Sequence, residues 1–312
     1  MALVVALDPR NVGRAVTHFS PHLIPAVLLL SVGYYLIQGL RWHYLLRAGG
    51  IELPLRRTLL LNLAGQSTGL LPLGELTRAV LVADEAGVPA GAVVGTITVQ
   101  ELLYTLVLVA AAVPAAIGHR AAASVIWVAL TGTLAVLVLL TTPPLWRRMR
   151  WLVRRTPLLR RLSGQIEELQ IEVDRLLRRR DTLVWSWLTV LGALDAVTLF
   201  WVVVEGVDPG AISWTDAALV YAVSHLAGAL SAIPGGIGAY EASVVGLLIG
   251  AGVDPSTATA AALLHRAADK GLNTLVGVIA LSWARHSAVP PARREEFIPD
   301  ATDAAPASAS LS

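Results

Sequence analysis

Cysteine is absent from the 312 residues, which excludes disulfides, thiolate metal sites and cysteine nucleophiles. Charge is scarce: 15% of residues are Asp, Glu, Lys or Arg, well below the roughly 25% of ordinary soluble domains. Lysine occurs once, at Lys270, and the other cations are arginine. No His-Glu-x-x-His helix and no Gly-x-Ser-x-Gly elbow is present, so zinc-hydrolase and serine-hydrolase chemistry lack their sequence signatures. A cleavable signal peptide is not evident, since Met1–Leu7 is a short apolar stretch without a basic start.

Apolar sequence is plentiful. The hydrophobic class makes up 55% of residues and falls in uninterrupted runs. Ala121–Trp146 holds no charge, and in Ala217–Tyr240 only His225 titrates near neutral pH. Each run can cross about 30 Å of hydrocarbon at roughly 1.5 Å per residue. The expected fold is all-α, a polytopic helical membrane protein.

Spans are expected at Leu23–Leu40, closed by Arg41-Trp42 as an interfacial anchor pair, at 91–118, Ala121–Leu140, Leu183–Val204 (with Asp195 inside it) and Ser256–Trp283. Two further apolar stretches are broken, at Pro72-Leu73-Gly74 and at Pro234-Gly235-Gly236-Ile237-Gly238. Residues 147–180 carry 11 Arg against four acidic residues, and Leu162, Ile166, Leu169, Val173 and Leu176 alternate four and three apart, the spacing of an amphipathic helix. Such a helix suits anionic cytoplasmic headgroups rather than nucleic acid. The organisation is then an interfacial segment over 1–20, a first membrane repeat over 21–118, a second over 119–285 that includes a basic cytoplasmic helix at 145–181, and a disordered tail, rich in Pro, Ala and Ser, over 286–312.

Arginine near span ends is kept in the cytoplasm, which orients this scheme. With both broken stretches as re-entrant hairpins, 41–57, 147–180 and 285–294 share one side and 18 Arg, against Arg10, Arg14 and Arg120 on the other. The amino terminus is then external and the C-terminus cytoplasmic.

The two breaks are related. Leu71-Pro72-Leu73-Gly74-Glu75 resembles Ile233-Pro234-Gly235-Gly236 with Glu241 following. Each precedes a Gly-Val pair, Gly87-Val88 and Gly252-Val253, and a charged residue lies 13 positions beyond each valine, Glu101 and Arg266. Equivalent helices run in opposite directions, so the pattern is an inverted repeat, an architecture suited to alternating access. Glu101 and Arg266 are expected to converge near the pseudo-two-fold axis, as a gate or as a static brace. The plainer alternative is chance self-similarity of apolar sequence.

Arg41-Trp42, Leu71-Pro72-Leu73-Gly74-Glu75-Leu76-Thr77-Arg78 and Ile233-Pro234-Gly235-Gly236-Ile237-Gly238-Ala239-Tyr240-Glu241 together resemble the transmembrane domain of lysylphosphatidylglycerol synthases, over roughly residues 10–285. The resemblance implies a flippase-like protein that moves a phospholipid or lipid-linked head group between leaflets. Family members begin with a further span, of which Met1–Leu7 reads as a remnant or truncation. No aminoacyl-transferase domain is expected beyond the membrane part, so lysyl transfer is not implied.

Ionisable groups within spans are costly and mark polar cavities. The candidate lipid-binding and transport residues are Glu75, Arg78, Glu101, Glu241, Arg266, Asp269 and Lys270, with Asp195 and His265 also inside spans. The alternative is mutual neutralisation: Glu75 with Arg78, Arg266 with Asp269, Lys270 with Glu101. Pro72, Gly74, Pro234, Gly235, Gly236 and Gly238 break the hairpins and free helix amino termini, whose N–H groups attract anions. Arg78 or Arg266 would add a charge-assisted bond; otherwise these are simple turns. Asn62, Gln66, Ser67 and Thr68 line the first hairpin, His225 is a packing residue, and Gly65-xxx-Gly69 and Gly246-xxx-Gly250 suit close helix packing. No catalytic residue, metal or cofactor is expected.

The expected function is a translocator of an anionic lipid head group in the cell membrane, and not an enzyme. Two alternatives stay open. One is a membrane partner that presents lipid to a separately encoded lipid-modifying enzyme. The other is an intramembrane enzyme, for which His265 and Asp269 are the only catalytic-looking pair.

Overall fold

The computed structural model describes residues 13, 16–17, 19–68, 75–117, 120–155, 163–231 and 233–286. Every regular element among them is helical: α1 (Ile24–Ala48), α2 (Leu55–Gln66), α3 (Glu75–Ala86), α4 (Ala90–Ala116), α5 (Arg120–Thr141), α6 (Pro143–Arg155), α7 (Ser163–Leu177), α8 (Arg180–Trp185), α9 (Trp187–Val207), α10 (Trp214–Leu230), α11 (Ala239–Gly250), α12 (Pro255–Arg266), a π-helical turn (Ala267–Gly271) and α13 (Leu272–His286). Most of the expected interfacial segment 1–20, Pro72 and Gly74 of the first break, and the expected disordered tail beyond His286 lie outside the described residues.

Pro21–Ala48, Ala90–Ala116, Ala123–Thr141 and Arg180–Val207 are long and apolar enough to cross a membrane. By contrast α2, α3 and α11 have 12 residues each, about 18 Å at 1.5 Å per residue, too short for a 30 Å core. Each half of the chain therefore holds a pair of successive helices, α2–α3 and α10–α11, at least one of which is too short to cross.

Both halves use the same local chemistry. α3 ends at Gly87 (φ 65°) and α11 at Gly252 (φ 96°). In each, the following valine N–H returns to the carbonyl five residues back, Val88 to Ala83 at 3.1 Å and Val253 to Leu248 at 3.0 Å. This is the glycine ending that satisfies the last carbonyls of a helix. The next helix begins after an extended residue, Pro89 before α4 and Asp254 before α12. The Asp254 carboxylate accepts the free N–H groups of Ser256 and Thr257.

Packing repeats as well. α1 packs on α2 as α9 packs on α10, and α2 on α3 as α10 on α11. α3 meets α4 as α11 meets α12, α4 lies on α10 as α13 lies on α2, and α1 on α4 matches α9 on α12. The contact between α1 and α9 maps onto itself, which places the pseudo-two-fold axis there. Three crossings, α1, α4 and α5, precede α9, so α9 runs opposite to α1 and the repeat is inverted.

Two details differ from expectation. The basic helix expected over 145–181 is divided into α6, α7 and α8, with 156–162 outside the described residues. Of its apolar stripe, Val173 and Leu176 are fully buried against Leu45, Ala48, Val99 and Trp146, with Leu169 packed beside them. α1 and α4, with 25 and 27 residues, exceed the hydrocarbon thickness, and their overhanging apolar side chains need this cover. Glu172 is drawn into that contact beside Gly49 and Gly95, and burial raises its carboxyl above the usual range. The second difference is Gly246-xxx-Gly250, where a Cβ on either glycine would meet nothing within 4 Å among the described residues.

Candidate functional site at the two hairpins

Arg78 sits in the second half of α3's first turn and is 1% exposed. Its guanidinium lies 5.2 Å over the Trp42 ring and donates to Asn62 Oδ1 at 3.2 Å and to Glu101 Oε1 at 3.3 Å. Trp42 donates its indole N–H to Thr96 Oγ1 at 2.9 Å, and Arg41 donates to the Gln100 carbonyl. Arg41 and Trp42, expected as interfacial anchors, are 4% and 0% exposed. They line the cation site, because a buried guanidinium needs acceptors and a π face that lipid does not provide. Close approach of the hairpin arms requires glycine: a Cβ on Gly65 would stand 2.5 Å from Arg78 Cβ. Thr68 and Thr77 hydroxyls, 2.7 Å apart, tie the arms across the break.

The second hairpin repeats the arrangement with the charges exchanged. Arg266, the last residue of α12, places Nε 2.9 Å from Glu241 Oε1, donates to the Gly235 carbonyl and lies 5.1 Å over the Tyr240 ring. Glu241 also accepts from the Gly238 N–H at 2.6 Å, which caps α11. Gly235, Gly236 and Gly238 have φ of 62°, 65° and 91°, and a Cβ on Gly236 would fall 2.9 Å from Gly228 Cα. Proline followed by left-handed glycines thus turns the chain so that the Gly235 carbonyl points at the arginine.

Hydroxyls and rings fill the space between the pairs. Tyr35 donates to Asp269 Oδ1 at 3.0 Å, and Asn273 donates to the Asp269 carbonyl. Tyr104 and Tyr221 hydroxyls meet at 3.2 Å, and Tyr240 bonds His265 Nδ1 at 3.0 Å. The π turn adds a residue to its helical turn, as π-bulges at functional sites do, and it carries Asp269 and Lys270. A crevice of only about 10 Å³, room for about one water, lies beside the first pair between Tyr34, Gln38, Arg41, Gln100, Glu101 and Tyr104.

A family profile described as lysylphosphatidylglycerol synthase TM region matches residues 1–277. The chain belongs to that family. No curated protein matches it. The match to the lysylphosphatidylglycerol synthase TM region takes in both hairpins, both ion pairs and the tyrosines between them.

Of the residues predicted from sequence, Arg78, Glu101, Glu241, Arg266 and Asp269 lie in this connected region. Lys270 is half-buried without an ion pair among the described residues. Glu75 opens α3, but its side chain lies outside the described set, as do Pro72 and Gly74. The expected convergence of Glu101 on Arg266 is not formed, nor are the Arg266–Asp269 and Lys270–Glu101 pairs. Each charge 13 residues past its valine instead binds the short helix of its own half, since α3 packs on α4 and α11 on α12. Sequence reasoning missed the tyrosines. Single hydroxyl-bearing rings inside apolar helices were the available signal, because a buried Tyr O–H needs a partner.

Proposed function

We propose that this membrane protein moves a phospholipid or lipid-linked anionic head group between leaflets by alternating access, without a covalent step. The observation that carries this reading is one internally neutralised arginine in each of two inverted hairpins. A carboxylate holds each guanidinium until the phosphate of a head group takes its place as acceptor. Because the hairpins enter from opposite faces, opening one pair while the other stays closed presents the site to one leaflet at a time. Glu101, with 47% of its side chain exposed, is the carboxylate a head group meets first.

Reconstitution into liposomes with a leaflet-reporting anionic lipid tests the reading. Arg266→Ala should abolish exchange, and Arg266→Lys should retain part of it, since charge remains but the planar fork is lost. A fully active Arg266→Ala would remove the phosphate role. Lipid bound without any exchange would favour presentation to a separate lipid-modifying enzyme.

The same proposal sets the orientation in the cell membrane. A reporter fused after Arg294 should read cytoplasmic, and one inserted in 207–214 should read external. Finding both on one side contradicts the orientation.

A further inference from the structure

Asp195 belongs to neither ion pair. It lies on α9 eight residues past Trp187, about 12 Å along the axis, and so deep within a span. The other acid of α9, Glu205, is near the helix end, where both its oxygens accept the Gly210 N–H at 3.1 Å. Asp195 has no such help. Its Oδ2 is buried with no hydrogen-bond partner among the described residues, and its Oδ1 faces Gly33 of α1, where a Cβ would come within 3.3 Å. The elements packed against α9 carry Tyr34, Tyr35, Arg41, His43, Tyr44 and Arg47 on α1, Glu101 and Tyr104 on α4, Arg180 and Asp181 on α8, Asp216, Tyr221 and His225 on α10, His265 and Arg266 on α12, and His22 in the turn before α1. Among the described residues none of these hydrogen-bonds or ion-pairs with Asp195.

Negative charge with neither counter-ion nor donor, in hydrocarbon, is costly, so the carboxyl is held as the neutral acid. Its position adds a consequence. The α1–α9 seam is the contact that the repeat maps onto itself, so Asp195 lies where the two halves meet and where any movement of one half against the other would be felt. We propose that Asp195 is a proton-binding site. The carboxyl keeps its proton while α1 and α9 are closed upon it. When the seam admits water, the O–H bond breaks and the proton passes to water. Coupling of this proton to lipid movement rests on the translocation reading, whereas the binding itself does not.

Dicyclohexylcarbodiimide, an apolar reagent selective for protonated carboxyls in apolar surroundings, tests the binding on the purified wild-type chain in detergent. The carboxyl proton passes to a carbodiimide nitrogen, the oxygen bonds the central carbon, and acyl migration leaves an adduct that retains all atoms of both. Peptide mass spectrometry should find the adduct on Asp195 at neutral pH, with no adduct on that peptide in Asp195→Asn. Labelling should fall as pH is raised, and a water-soluble carbodiimide should leave Asp195 untouched. An unlabelled Asp195 at neutral pH, or equal labelling by the water-soluble reagent, overturns the proposal. In liposomes an imposed pH gradient should change the exchange rate several-fold in wild type and leave Asp195→Asn unresponsive. Exchange that ignores the gradient in wild type overturns the coupling. If no lipid exchange occurs at all, the translocation reading fails, and the carbodiimide result alone decides the proton site.

Discussion

Replacing Gly277 with leucine should separate α13 from α2 and leave little folded protein. A Cβ at Gly277 would stand 2.5 Å from Ser67 N, 2.8 Å from the Leu63 carbonyl oxygen and 2.9 Å from Gln66 C. All three are backbone atoms, so no rotamer change relieves the collision. Overpacking typically costs about 1–3 kcal/mol, and a collision with rigid backbone belongs at or above the top of that range. Against a total stability of about 5–15 kcal/mol, alanine at this position should lower the melting temperature clearly and leucine should prevent folding. Gly246→Ala is the control, because a Cβ there meets nothing within 4 Å and alanine is favoured over glycine in a helix by about 1 kcal/mol. Fluorescence-detected size exclusion and thermal melts in one detergent read both. An unchanged melt for Gly277→Ala would mean that α13 does not approach α2 this closely.

The two glycines also show what one-dimensional information carries. Gly246-xxx-Gly250 has the spacing of a packing motif and meets no neighbour, while Gly277 has no motif and touches a backbone. Apolar run length and Pro/Gly breaks act locally, so four of the five expected spans and the short paired helices of each half were legible, whereas the span expected over 256–283 is divided by the π-helical turn Ala267–Gly271 and is not one of the long apolar helices. Which residues meet depends on helix rotation and tilt, which apolar sequence leaves open when every face is hydrophobic. Arg41-Trp42 illustrates this: a basic-aromatic pair at a span end has the composition of an anchor, yet both side chains turn inward to line the Arg78 site. The stripe of α7 was legible as apolar, but its burial against α1 and α4 was not, because headgroups and protein select the same pattern. Glu101 and Arg266 were found by the repeat and given the wrong partners, since the repeat fixes equivalence and not contact.

Exchanging the charges of each ion pair should give different results in the two hairpins. Removing one partner alone costs about 3–5 kcal/mol when the pair is fully buried. Arg266→Ala strands Glu241 at 19% exposure, whereas Arg78→Ala strands the half-exposed Glu101 but also empties a fully buried site, so both should fall below that loss. In the first hairpin, Arg78→Glu with Glu101→Arg places a carboxylate in the first turn of α3, where the helix dipole favours it by about 0.3–1 kcal/mol. Asn62 can turn its amide to donate instead of accept, so the chief remaining loss is the contact of Arg78 with the Trp42 ring. In the second hairpin the swap meets three obstacles. Arginine at position 241 would face the positive end of α11, the Gly238 N–H would lose its acceptor, and a carboxylate at position 266 would point at the Gly235 carbonyl. The lost cap alone is worth about 1 kcal/mol, and the dipole and carbonyl repulsion add to it. The first double variant should therefore recover most of the melting temperature lost by Arg78→Ala. The second should stay well below wild type. Equal recovery in both hairpins would show that the pairs act as charges alone, and that the capping and carbonyl contacts of the second hairpin contribute little.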